Sequence, residues 1–229
     1  FITYNSTHLE DLLEIIEEAG VETIDIIPSP IAASQIVLSD KEKIVGSALV
    51  DIGVETSSLA VFENGSLISL NTFSIGGGDI TNDIALGLKI PLEKAENLKL
   101  RNIEDDSSKK KLDEIIDARL SDIFELIENN LKKIKRNELL PAGIIFIGGS
   151  SNIKGLEEFS KSTLKLPSKI GTSELFGNSK TKLRDGSYFT ALGLLATSDN
   201  SEPYSEGSLS NFWKDLKRSI KSSIKQLMP

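Results

Sequence analysis

Residues 46–78 read GSALVDIGVETSSLAVFENGSLISLNTFSIGGG, and this stretch decides the fold. It contains three apolar runs, and Asn64-Gly65 separates the second run from the third. Asn-Gly between alternating runs is the strongest short signal for a hairpin, because both turn residues need a positive φ. The pattern therefore predicts three successive antiparallel strands.

The segments on either side predict an α/β fold. N-terminal to the strands we expect a helix over 7–19 that Thr7 caps and Gly20 stops, a strand over 21–27, a helix over 30–38 and a turn at SDKEK, 39–43. C-terminal to them we expect helices over 81–88, 92–100, 110–135, 152–163 and 185–196, a buried strand in GIIFIGG (143–149) and a brief strand near Lys169 and Ile170. Residues 197–208 are polar and lack periodicity, which predicts a linker.

Composition excludes several classes of function. The chain has 229 residues, a net charge of −8 and 39% hydrophobic residues, which is typical of a globular protein. The acidic balance argues against nucleic acid as a partner, because affinity for phosphate backbones needs clustered Lys and Arg. The absence of cysteine excludes disulfides and thiolate chemistry, and His8 is the only histidine. No signal peptide and no run of about 18 apolar residues is visible. Because the chain begins with Phe1, we expect it to be the C-terminal part of a longer protein.

Two glycine-containing motifs and one charged pair are candidates for ligand binding. In LVDIGVETSS, Gly53 would let backbone amides approach a phosphate, Thr56 offers a hydroxyl, and Asp51 could orient hydrated Mg²⁺. The alternative is a plain hairpin turn with an Asp cap.

The second motif is GGSSNIKG, where Gly148, Gly149 and Ser150 follow a buried strand and open a helix. Such a junction can host an anion or the edge of a nucleobase, or it is only a tight connection. Glu96 and Lys99 lie three residues apart on one helix face, which suits either ribose hydroxyls or a surface ion pair.

The order of these motifs resembles the second half of proteins in the actin, Hsp70 and sugar-kinase superfamily. Within it, several stretches are similar to the FtsA family of bacterial cell-division proteins: IGGGDITNDIALGL, AENLK, IIDARLSDIFELI, PAGIIFIGGSSNIKGLEEF and YFTALGLL. The resemblance covers nearly the whole chain. It implies an actin-like ATPase fold with ribonuclease-H-like lobes, of which this chain carries mainly the second.

The resemblance also implies a division of the chain. Residues 1–43 would be a remnant of the first lobe, 44–75 and 141–196 the large subdomain of the second lobe, and 76–140 its small subdomain. A linker over 197–208 and a membrane-targeting amphipathic helix over 209–229 would follow. The link RNIEDDSSKKK (101–111) is short where the family usually carries additional strands, so we expect a reduced small subdomain.

Matched motif by motif, the resemblance implies that ATP and Mg²⁺ are bound. Asp51, Gly53 and Thr56 match the second phosphate loop, Gly77, Gly78, Glu96 and Lys99 line the adenosine pocket, and Gly148, Gly149 and Ser150 form the adenine-side loop. The chain departs from the common pattern DIGGGTTD, because Val54 and Glu55 replace glycines and Ser58 replaces an acid. A carboxylate at Glu55 is unfavourable near phosphates unless it turns away or meets a cation.

The last 21 residues differ in charge from the rest. Residues 209–229 hold five basic side chains and one acidic side chain, whereas residues 1–208 carry a net charge of −12. Wound as a helix, this segment has an apolar stripe with flanking basic residues, and the residues expected at a membrane are Phe212, Trp213, Leu216, Lys217, Ile220, Lys221, Ile224 and Leu227. Such a helix lies in an anionic membrane interface. The alternatives are packing against the acidic body or against a partner.

The function that the resemblance implies is an actin-like cell-division protein at the cytoplasmic face of the membrane. It would bind ATP, hydrolyse it weakly at most, self-associate into filaments and anchor FtsZ filaments at the division site. Arg119 would receive the C-terminal peptide of FtsZ, or it pairs within its helix with Glu114, Asp122 or Glu125. The alternative functions are a pilus-assembly actin homologue and a sugar or acetate kinase.

Overall fold

A computed structural model describes residues 2–100, 109–173 and 182–198. The helices are α1 (Ser6–Glu18), α2 (Ser29–Val37), α3 (Asp40–Val45), α4 (Gly77–Leu88), α5 (Leu92–Lys99), α6 (Lys109–Lys133), α7 (Leu156–Leu164) and α8 (Phe189–Ser198). The strands are β1 (Ser47–Ile52), β2 (Ser57–Glu63), β3 (Ser66–Phe73), β4 (Gly143–Ile147) and β5 (Ser168–Ile170). None of these helices is long and apolar enough to cross a membrane. The predicted linker beyond residue 198, the basic tail and residues 101–108 lie outside the described residues.

The strands form one sheet in the order β3-β2-β1-β4-β5. β1, β2 and β3 are successive antiparallel neighbours, while β4 is parallel to β1 and β5 is parallel to β4. The hairpin turn has φ values of 52° at Asn64 and 75° at Gly65, as the Asn-Gly signal requires. The prediction of three antiparallel strands is therefore confirmed.

Helices cover both faces of the sheet, which explains why β1 and β4 are almost continuously apolar. On one face, Val50 of β1 and Phe146 of β4 belong to a core cluster with Phe124 of α6. On the other face, Leu49 of β1 packs in a second cluster with Ile36 and Leu192, which come from α2 and α8. The central strands are thus fixed from both sides, and the loops that follow them are held in defined positions.

Two predictions for the N-terminal part are wrong. Residues 21–27 form no strand, and Ile24 is 96% exposed. A strand needs a neighbour to bond to, and no strand in the described ranges pairs with this segment. The SDKEK segment is a helix, α3, rather than a turn. Its N-terminus carries a capping box in which the Ser39 hydroxyl accepts from the Glu42 amide and the Glu42 carboxylate accepts from the Ser39 amide.

The first residues of four helices also differ from those predicted. α1 is capped by Asn5 rather than Thr7, because the Asn5 side chain accepts from the Thr7 amide. α4 begins at Gly77 and not at residue 81, and α7 begins at Leu156 after a short 3₁₀ turn over Gly149–Asn152. α8 begins at Phe189 rather than 185. Gly77 and Gly78 hid the first turn of α4, since glycine is a weak helix former. α7 and α8 begin later than predicted because short 3₁₀ turns precede them.

Candidate functional site

The parallel strands β1 and β4 end at the same edge of the sheet, with Asp51 opposite Ile147. Two glycine-containing loops follow there, residues 53–56 after β1 and residues 148–150 after β4. The first loop is closed by a hydrogen bond from the Gly53 amide to the Thr56 carbonyl, 2.9 Å long. Crevices at the carboxyl ends of parallel strands are the usual ligand sites of α/β sheets.

The start of α4 docks onto the first loop. The amides of Gly77 and Gly78 donate to the carbonyls of Gly53 and Val54 over 2.8 Å and 2.7 Å. A Cβ on Gly77 would overlap the hydroxyl of Ser150, so the Ser150 side chain can lie against the Gly77 backbone only because residue 77 is glycine. The three predicted glycine-containing segments therefore meet at Gly77.

Gly149 differs from the other glycines of this site. Its φ lies outside the left-handed range, and an added Cβ would meet no atom within 4 Å. Gly148, by contrast, has a φ of 88° and lies against Asp51 and Ile52. Nothing among the described residues explains a glycine at 149, which fits close approach by a ligand.

Lys99 connects α5 to the start of α4. Its ammonium group is buried, with the side chain 5% exposed, and it forms an ion pair with Glu96 at 2.7 Å. It also donates to the Gly77 carbonyl at 3.0 Å and to the Thr81 hydroxyl at 2.9 Å. An ammonium has three protons, so these three acceptors use all of them.

Thr81 is the member of this cluster that the sequence motifs missed. Its hydroxyl contacts the Glu96 carboxylate and the Gly77 carbonyl as well as Lys99. Burial raises the pKa of the Glu96 carboxyl, but hydrogen bonds from Lys99 and Thr81 outweigh it and leave the pKa below its ordinary value. Its position in the sequence is the signal that could have identified Thr81, because it follows Gly77 by one helical turn and so lies on the same helix face.

Glu96 and Thr81 border a cleft of about 560 Å³. Its lining residues are Val54, Glu55, Ser74, Gly78, Asp79, Thr81, Asn82, Leu92, Glu93 and Glu96. Four of these residues are acidic and none is basic. An anion in the cleft would therefore be favoured only with a cation beside it. No group of three or more potential metal ligands occurs within the described residues.

The departures from the common phosphate-loop pattern have clear positions. Val54 and Glu55 are exposed and line the cleft. Ser58 lies opposite Asp51 on β2, and its hydroxyl is 3.1 Å from that of Thr72. Burial raises the pKa of the Asp51 carboxyl above its ordinary value. An acidic residue at 58 would stand directly across the strand pair from Asp51, so serine avoids a like-charge pair.

Arg119 lies on α6 and contacts α4. Its Nε donates to Asp83 on α4 at 2.7 Å, and its Nη1 is 3.2 Å from Asp122 one turn along α6. The hydrogen bond to Asp83 keeps the pKa of the guanidinium above its ordinary value. Of the three intrahelical partners considered from sequence, only Asp122 is observed in contact, and the pair with Asp83 was not foreseen.

Solved structures with a similar fold define the class of the protein. MreB5 of Spiroplasma citri bound to ADP matches with a TM-score of 0.67 and 17% identity, covering 95% of this chain and 68% of that chain. The PilM–PilN type IV pilus biogenesis complex matches with a TM-score of 0.68 and 20% identity, covering 85% of this chain and 58% of that chain. The chain therefore has the actin-like ATPase fold predicted from its motifs.

Sequence comparison narrows the class to one family. The family model described as "Cell division protein FtsA" matches residues 48–193, so the chain belongs to the FtsA family. It is 32% identical over 216 residues to the FtsA protein of Bacillus subtilis (strain 168), covering 85% of this chain and 48% of that protein. It is 31% identical over 217 residues to that of Neisseria meningitidis serogroup B, with 85% and 52% covered. The chain spans about half the length of the curated relatives it matches.

Proposed function

We propose that this FtsA-type cell-division protein binds ATP with Mg²⁺ at the edge of the sheet where β1 and β4 end. The observation that carries the proposal is the meeting of three glycine-containing segments at Gly77, beside a cleft and an unexplained glycine at 149. The related fold of MreB5 was solved bound to ADP and to AMPPNP, which supports a nucleotide as the ligand. Hydrolysis is slow or incidental, and binding and assembly are the function.

The residues present fit a nucleotide whose phosphates, ribose and base each occupy a separate part of the site. The 53–56 loop, with Gly53 and the Thr56 hydroxyl, faces the phosphates, and Gly148, Gly149 and Ser150 take the base. Gly77 and Gly78 belong to the segment between them, and Glu96 accepts from the ribose while the buried Lys99 holds Glu96 in place. The acidic lining requires a metal-complexed nucleotide, with Asp51 orienting Mg²⁺ through water. Bound Mg²⁺ would neutralise phosphate charge beside Glu55.

Calorimetry on the intact protein with ATP and Mg²⁺ tests this assignment. We expect Glu96→Gln to weaken binding, while Glu125→Gln, at an exposed glutamate on α6 outside the cleft lining, should leave it unchanged. Lys99→Ala should weaken binding by roughly 1–3 kcal/mol, because Glu96 then loses the charge-assisted hydrogen bond that holds its carboxylate at the cleft. Absence of ATP binding at millimolar nucleotide would refute the site.

A second part of the proposal is that Arg119 helps to receive the C-terminal peptide of FtsZ. A guanidinium suits peptide carboxylates through paired hydrogen bonds. Because Asp83 and Asp122 already contact Arg119, a peptide carboxylate must compete with them.

Co-sedimentation with FtsZ filaments tests this role of Arg119. Arg119→Glu would bring a third carboxylate to Asp83 and Asp122, so Arg119→Gln is the cleaner variant. We expect Arg119→Gln to reduce co-sedimentation and Asp83→Asn to preserve or raise it. Normal co-sedimentation of Arg119→Gln would remove Arg119 from the peptide site.

The third part is that residues 209–229 anchor the protein to the cytoplasmic face of the membrane at the division site. Each basic residue near an anionic surface contributes about 1 kcal/mol, and each apolar side chain adds roughly 1.5–3 kcal/mol at full burial. A single tail binds weakly and reversibly. Self-association into actin-like filaments would present many tails and anchor FtsZ filaments firmly through avidity.

Flotation with anionic vesicles tests the tail. Ile220→Glu should abolish flotation, whereas Ser222→Glu, the same charge change about 200° away on a helical wheel, should retain most of it. Raising the salt concentration should weaken flotation of the parent protein. If Ile220→Glu floats as well as the parent, the tail binds a protein surface instead.

Family membership argues against the two alternative functions. Pilus assembly and sugar or acetate phosphorylation belong to other families of this fold, while residues 48–193 match the FtsA family model. A kinase also has no use for a basic amphipathic tail. Cell division is therefore the function we propose for the intact protein.

A further inference from the structure

The ion-pair cluster between α4 and α5 contains one polar side chain to which the proposed function gives no role, that of Thr81. Its hydroxyl is buried, with the residue 7% exposed, and lies among Gly77, Glu96 and Lys99. It accepts a hydrogen bond from Lys99 and has one proton to donate, to Glu96 or to the Gly77 carbonyl. Thr81 therefore links the glycine segment, the lysine and the carboxylate at one point.

The contacts of Glu96 show what this link achieves. Lys99 and Thr81 both contact the same carboxylate oxygen, Oε2. Among the described residues none hydrogen-bonds to Oε1, while Glu96 lines the cleft and its side chain is 46% exposed. One oxygen is thus held by the protein, and the other is left to accept a hydrogen bond from a ligand.

We infer that Thr81 is a positioning residue for ribose recognition, fixing Glu96 so that its second oxygen accepts from the ribose hydroxyls. This inference rests on the proposed nucleotide site. Two contacts on Oε2 restrict the rotation of the carboxylate, whereas Lys99 alone would fix its distance but not its orientation. Without the hydroxyl, Lys99 also loses an acceptor in a buried position.

Ribose analogues distinguish this role from a merely structural one. In calorimetry on the intact protein with Mg²⁺, we expect Thr81→Val to weaken ATP binding about tenfold, the effect of one misplaced hydrogen bond to a charged group. Binding of 2′,3′-dideoxy-ATP, which lacks both ribose hydroxyls, should be weaker in the parent and unchanged by Thr81→Val. Thr81→Ser keeps the hydroxyl and should restore ATP binding.

Glu96→Gln supplies a matched comparison. If Thr81 acts through Glu96, the double variant Thr81→Val with Glu96→Gln should lose no more ATP affinity than Glu96→Gln alone. Should Thr81→Val fail to fold, Thr81→Ala replaces it, because a smaller side chain introduces no new contact.

Three results would overturn the inference, and the third would overturn the proposed function as well. Equal loss of affinity for ATP and dideoxy-ATP in Thr81→Val would mean that Thr81 supports the fold of the cleft and not ribose recognition. Unchanged affinity for both would mean that Thr81 has no part in binding. Failure of the parent protein to bind either nucleotide would overturn the proposed function together with this inference, so the two failures are distinguishable.

Discussion

Gly149→Ala is the substitution that separates ligand binding from folding most sharply. An added Cβ would meet no atom within 4 Å, and the φ of Gly149 lies outside the left-handed range. The free energy of unfolding should therefore change by no more than about 0.5 kcal/mol, as for a neutral surface change. A nucleobase approaching residue 149 would meet the new methyl group, and crowding of that kind costs roughly 1–3 kcal/mol, or roughly 5- to 150-fold in Kd.

Gly76→Ala is the matched comparison. A Cβ there would overlap the backbone carbonyl of Val54, and backbone cannot rotate away as a side chain can. We expect a loss of stability of roughly 1–3 kcal/mol, which lowers Tm by roughly 2–12 °C in a domain of this size. Gly76→Ala should thus lower stability, whereas Gly149→Ala should lower affinity for the nucleotide and leave stability unchanged.

Thermal unfolding and calorimetry with ATP and Mg²⁺ on the intact protein measure both quantities. Normal unfolding with weakened ATP binding in Gly149→Ala is the expected result. Normal unfolding with unchanged affinity would show that no part of the nucleotide approaches residue 149, and the base would then have to be placed elsewhere.

Three further predictions concern single residues. Asp51→Asn should raise Tm of the nucleotide-free protein at neutral pH. Burial raises the pKa of the Asp51 carboxyl, so stability of the parent protein is lost as the pH rises through that pKa. In calorimetry, Asp51→Asn should also weaken binding of ATP with Mg²⁺. The pKa of the Glu96 carboxyl is lowered in the folded protein, so its contribution to stability is present above the unfolded value of about 4.3 and is lost as the pH falls through the folded pKa. In urea unfolding, the difference in stability between the parent and Glu96→Gln should therefore shrink below about pH 4.3. Ser39→Ala should lower the free energy of unfolding by about 0.5–2 kcal/mol through loss of the α3 capping box, and an unchanged urea midpoint would contradict this.

The parts of the fold that depend on local pattern could be predicted from sequence. The β1–β3 strands follow from alternation and from Asn64-Gly65, and α6 follows from its helical spacing of apolar residues. The strand at 21–27 was wrong because pairing depends on residues far away in sequence, which a local apolar run does not reveal. α3 was missed although Ser39 and Glu42 carry the capping-box spacing, since the charged run was interpreted as a turn.

The candidate site was likewise predictable from sequence only where it depends on local motifs. The glycine motifs could be found by spacing, but the contact between Gly77 and Ser150 joins residues 73 positions apart and follows only from the β1–β4 pairing. Thr81 was overlooked because its importance lies in three contacts across two helices rather than in a motif. Arg119 was singled out, yet its partner Asp83 on α4 depends on how α4 and α6 pack.

Amide hydrogen exchange of the intact protein, with and without ATP and Mg²⁺, tests whether the nucleotide binds at this edge of the sheet. We expect slower exchange with nucleotide in three segments, residues 53–56, 76–81 and 148–152, because they meet there. Residues 156–170, which carry α7 and β5, should be unaffected. Nucleotide-dependent protection confined to other segments, or none in these three at saturating ATP, would show that the nucleotide does not bind at this edge.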